Sequence, residues 1–242
     1  MGAALGWGSL SAFSLVLGAL LAVARSWSDR IVGLVLAFGA GALISAVSFE
    51  LFEEGFELGD NGATAAGLAV GALVYYALDG VVARIGSGGR GRSGRASATN
   101  AGTPLALGAF LDGIPEQAVL GIGLAQGEGV SVALLVAIFV SNLPEAIGSA
   151  SEMRSAGRDD ATILRLWVAV ATVCALASVA GYALADAVSD NLKAAIDGFA
   201  AGALLVMLVD SMIPDATRDA GRTAGLVTTL GFAMSAAFSF SS

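Results

Sequence analysis

An all-α integral membrane protein with eight transmembrane helices in an inverted-repeat arrangement is the fold class this sequence predicts. Three observations carry that expectation. The 242-residue chain is 56% hydrophobic and 13% charged with a mean hydropathy of +0.81, whereas soluble domains average about 25% charged residues. Eight apolar stretches are each close to the roughly 20 residues that cross a bilayer. Arginines fall in alternate connections between those stretches, and acidic residues dominate the others.

The spans are expected near 5–24, 31–52, 63–84, 102–125, 129–150, 162–186, 192–213 and 222–241, within one membrane domain covering 1–242. Arg25 and Arg30 separate spans one and two; Glu53, Glu54, Glu57 and Asp60 follow span two. Arg84, Arg90, Arg92 and Arg95 lie between spans three and four, and Glu128 between four and five. Arg154, Arg158 and Arg165 flank the next link, Asp186, Asp190 and Lys193 the one after, and Arg218 and Arg222 the last. The positive-inside rule makes the arginine side cytoplasmic, so both termini are expected on the extracytoplasmic side of a cell (inner) membrane. The first apolar run lacks a basic leader, so no cleavable signal peptide is expected. The 85–101 segment has the Gly/Ser/Arg composition of a flexible cytoplasmic loop. Its arginines also suit an anionic lipid surface. The 33 glycines permit close helix contacts.

Other classes fall away on composition. The net charge of −8 disfavours nucleic acid as a partner. A single cysteine, Cys174, rules out a disulfide framework, and histidine is absent, which removes imidazole ligands and His-based catalysis.

Spans two and seven share a run, Phe38-Gly-Ala-Gly-Ala-Leu43 against Phe199-Ala-Ala-Gly-Ala-Leu204. They are expected to run in opposite directions, which is the pattern of an inverted-repeat transporter. Spans four and five form a second antiparallel pair, each with proline before glutamate: Asp112-Gly-Ile-Pro-Glu116 and Ser141-Asn-Leu-Pro-Glu145. An intramembrane carboxylate costs several kcal/mol and is by default functional. Pro115 and Pro144 remove backbone hydrogen bonds and are expected to kink their helices, freeing the carbonyls of Leu111 and Val140. Asp112 with Glu116, and Ser141 with Glu145, are four residues apart and share a helix face; Asn142 lies close to it. Gly113 is expected to leave room for an ion. Three carboxylates so gathered need a cation or a proton between them. Glu50, Glu53, Glu54, Asp210 and Asp215 are expected along the pathway, while Asp79 and Asp197 read as interfacial charges.

At these residues the chain resembles the ZIP (Zrt/Irt-like) divalent metal transporters, whose fourth and fifth spans carry His-Asn-x-Pro-Glu and His-x-x-Pro-Glu motifs. Glu50 falls where that family often has histidine, and Pro214-Asp215 matches its Pro-acidic ending. The resemblance implies eight spans with both ends outside and import toward the cytoplasm, with spans four and five and their mirror partners moving against the rest. It implies no prosthetic group: the metal is the substrate, bound by Asp112, Glu116, Ser141, Asn142 and Glu145. Here Asp112 and Ser141 replace the motif histidines, and Ala177-Ser-Val-Ala-Gly181 lacks the carboxylate often found in span six. An all-oxygen site favours Mn²⁺ or Fe²⁺ and still accepts Zn²⁺.

The expected partners are the metal ion and the lipid bilayer, with a homodimer as the assembly considered. A transport-inactive sensor or scaffold of the same fold is the alternative, and carriage of protons or an organic cation a third reading. No enzyme is expected, because no intramembrane protease motif accompanies the acids.

Overall fold

Every described element is a helix, as the long apolar runs require once backbone groups must be satisfied without water. The computed structural model describes residues 1–58, 60–87, 102–126, 131–185 and 187–240, without the side chains of 54, 58, 82–87, 102–112, 126, 133 and 152. Most of the predicted 85–101 loop, with Glu128 and Asp186, therefore lies outside the described residues.

Eight rods follow in chain order. They are α1 (Gly2–Ala24); α2 (Asp29–Ala46), continued by a π-helical turn (Val47–Phe52) and α3 (Glu53–Leu58); α4 (Asn61–Ser87); and α5 (Gly102–Gln126). Then come α6 (Val132–Ser155); α7 (Asp160–Leu184); α8 (Asp190–Met207), continued by a second π-helical turn (Leu208–Met212) and α9 (Ile213–Ala220); and α10 (Thr223–Ser239). Six of these rods are long and apolar enough to cross a membrane among the described residues, and the chain is a multi-pass membrane protein. The shorter α10 has 17 residues, about 26 Å of helix.

Two groups of helices build the bundle. In one, α2 packs on α10 and α8 on α4. In the other, α1 lies against both α6 and α7, and α5 against α7. The groups meet where α2 crosses α6 and α8 crosses α5. Two buried clusters result: one around Leu43, Leu51, Leu204 and Leu208 that also takes in Val119 of α5 and Ile138 of α6, where the groups meet, the other around Leu15, Met153, Ile163 and Trp167. Outward-facing apolar side chains such as Leu73 on α4 and Leu226 on α10 suit a hydrocarbon solvent rather than water.

The shared run of α2 and α8 has a packing reason. Gly41 lies against the carbonyl of Thr228 on α10, and Gly202 against the carbonyl of Leu68 on α4. The same glycine of each run thus lets a neighbouring backbone pass where a Cβ would overlap it. Each π turn also starts at the same offset from its run, Val47 after Leu43 and Leu208 after Leu204. Hydropathy carries no mark of such turns, which cluster at functional sites.

The two ends differ in charge. At one, Arg154 Nη1 donates to Ala22 O at 3.4 Å, Arg154 pairs with Asp160 at 3.4 Å, and Arg25 covers the Trp27 ring at 5.7 Å. At the other, the Asp60 N–H donates to Asn191 Oδ1 at 2.9 Å, tying the turn after α3 to the start of α8. Hereafter these are the arginine end and the acidic end.

Asp159 caps α7, accepting from the Thr162 N–H at 2.9 Å and from its hydroxyl at 2.6 Å. Those bonds, the hydroxyl's first, hold its carboxyl below the ordinary value of 3.8. A depressed carboxyl contributes stability that is complete above its unfolded pKa and is lost as pH falls through the folded one. Protection of the Thr162 amide, taken relative to its intrinsic exchange rate, is therefore expected to fall as pH drops below about 4, and Asp159→Ala should lower it at neutral pH. Unchanged exchange in the variant would remove the cap from the account.

Candidate functional site

Helix α5 runs unbroken through Pro115, although proline cannot donate to the carbonyl one turn back. The next residue, Glu116, is 1% exposed. Val119 and Leu120 follow on the same side of the helix and belong to the core around α2 and α8. Glu116 therefore sits on the side of α5 that faces the other helix group. Gln117, missed in the sequence, is also fully buried; its Nε2 donates to Ser11 Oγ on α1 at 2.8 Å. A second polar residue directly after Pro-Glu in an apolar run was its available signal.

Helix α6 is likewise continuous through Pro144. Ser141 and Asn142 are buried, and Glu145 is half-buried. The Ser141 hydroxyl donates back to Ile138 O at 3.0 Å, which leaves its lone pairs outward of the helix backbone. Asn142 Nδ2 has no hydrogen-bond partner among the described residues. A Cβ at Gly39 of α2 would sit 2.9 Å from Ser141 Cα and 3.3 Å from the Met212 methyl. Helix α2, the Ser141 turn of α6 and the π turn after α8 therefore converge at one level.

Other expected positions fare differently. The Asp112 side chain lies outside the described residues, as does that of Glu54. Among the described residues, no three acidic or cysteine side chains cluster as a metal cage. Gly113 does not leave room for an ion: a Cβ there would lie 2.6 Å from Cys174 Sγ, so the thiol of α7 occupies the space. Glu50 is half-buried in the first π turn, Asp210 is exposed in the second, and Glu53 is exposed. Asp215 is held by Arg218 at 2.7 Å. Asp197 is not an interfacial charge. It is 3% exposed, on a side of α8 that faces Val119 and Leu120 of α5 and Leu134 of α6. Its signal was its place beside the shared run, four residues past Lys193.

The polar side chains carried by the two Pro-Glu turns are the Glu116 and Glu145 carboxylates, the Ser141 hydroxyl and the Asn142 amide.

No family model matches the chain. It is 30% identical over 192 residues, 78% of its own length, to an Arabidopsis thaliana protein named "Putative zinc transporter". The chain spans 30% of that protein's length.

Proposed function

We propose that this chain is a ZIP-type transporter that carries divalent cations across a membrane through a mid-bilayer site on α5 and α6. The observation that carries this reading is Glu116, a buried carboxylate directly after a proline inside the 25-residue helix α5. Glu145 repeats the sequence feature on the neighbouring α6, with Ser141 and Asn142 one turn before it. The name of the Arabidopsis protein supports metal transport, and zinc is one cargo within the class.

An inverted repeat is supported by the packing. Exchanging spans one with six, two with seven, three with eight and four with five maps the α2–α10 contact onto α8–α4. It also maps α1–α6 onto α7–α5, and α2–α6 onto α8–α5. The matched glycines and matched π turns obey the same exchange. Under the positive-inside rule, the arginine end is cytoplasmic and both chain ends are extracytoplasmic. Cations enter from the acidic end, where Glu53, Glu57 and Asp60 concentrate them, an attraction that salt weakens.

The site is oxygen-only, so Mn²⁺ and Fe²⁺ are favoured relative to a histidine-bearing relative, and Zn²⁺ remains a substrate. Proteoliposomes holding the purified protein are expected to accumulate radioactive manganese or zinc down an imposed gradient, faster than protein-free liposomes. Metal-dependent thermal stabilisation with no uptake would replace this reading by a sensor or scaffold of the same fold.

A further inference from the structure

A second acidic pocket lies toward the acidic end of the bundle, apart from the Pro-Glu turns. Asp197 of α8 and Glu50 of the first π turn line one cavity of about 30 Å³, walled by Leu120 of α5 and by Ser131 and Leu134 at the start of α6. That volume holds one ion or one to two waters. Asp197 is 3% exposed, and its Oδ2 has no hydrogen-bond partner among the described residues. Lys193, one turn earlier on α8, has its ammonium held by Asp190 at 3.2 Å. Ser131 Oγ accepts the Leu134 N–H at 3.1 Å, which leaves its O–H to donate toward a carboxylate. A buried carboxylate lacking such a partner is expensive, and two carboxylates on one small cavity compound the cost. A cation between them relieves both terms.

We infer that Asp197 and Glu50 form a separate outer cation site, taking one hard divalent cation such as Mn²⁺ with water completing its coordination. Leu120 is four residues past Glu116 on the same face of α5, about 6 Å along the axis. The outer site is therefore one turn from the Glu116 level, between it and the acidic end. Its place as a waiting position rests on the transport reading; its occupancy does not.

The test is equilibrium binding of Mn²⁺ to the purified full chain in nanodiscs, counted by electron paramagnetic resonance, with gel filtration and thermal melting as controls for folding. Asp197→Asn and Glu50→Gln are each expected to bind one Mn²⁺ fewer than wild type, while keeping the ion that Glu116→Gln removes. Wild-type stoichiometry in both outer variants overturns the inference. Should Asp197→Asn fail to fold, Glu50→Gln decides, since Glu50 is half-buried. If Glu116→Gln retains every ion while the outer variants lose one, the outer site stands and the Pro-Glu site falls.

Discussion

Replacing Glu116 by glutamine is expected to bring manganese or zinc uptake down to the rate of protein-free liposomes. Glutamine keeps the shape and the hydrogen-bonding reach of the side chain but removes its charge. A divalent ion leaving water at mid-bilayer needs that charge, because a carbonyl dipole does not compensate the lost hydration. Glu116 is 1% exposed, so no solvent replaces what the substitution removes. The folded state should tolerate the change, since glutamine keeps the volume and the hydrogen-bonding reach of the side chain. Loss of flux with an unchanged melting temperature is thus the expected signature. Flux lost together with the folded protein would instead make Glu116 structural.

The second large effect concerns packing. Gly41→Val and Gly202→Val each place a side chain against a neighbouring carbonyl, that of Thr228 or Leu68. Overpacking costs about 1–3 kcal/mol where side chains can yield, and a backbone carbonyl yields less than a side chain does. Melting temperatures in detergent are expected to fall sharply for both. Gly6→Ala is the contrast: nothing lies within 4 Å of the added methyl, and helix propensity favours alanine by about 1 kcal/mol. Equal melting behaviour for Gly41→Val and Gly6→Ala would mean that α2 and α10 are not packed as described.

These two cases show which parts of the protein were legible in its residues. Long apolar runs and alternating arginines announce helices and their ends, since bilayer thickness and backbone hydrogen bonding leave few choices. The Pro-Glu motifs stand out because a charge in such a run is costly. The π turns were invisible: apolar residues pack equally well at either helical pitch, and nothing in Val47–Phe52 or Leu208–Met212 alters the composition. Asp197 reads as interfacial because it follows Lys193 near a span end, where a charge can reach water; which side of α8 meets α5 and α6 decides its burial, and that is a tertiary fact. Gly113 was misread for a related reason, as the occupant of the space it vacates, Cys174, comes from a helix distant in sequence.

The claim that Glu116 and Glu145 hold the cargo is tested most directly by locating the ion. Anomalous diffraction from crystals grown with Mn²⁺ should show a peak between α5 and α6, within coordination distance of the Glu116 carboxylate. Manganese bound only at surface carboxylates, with none beside Glu116, would contradict it.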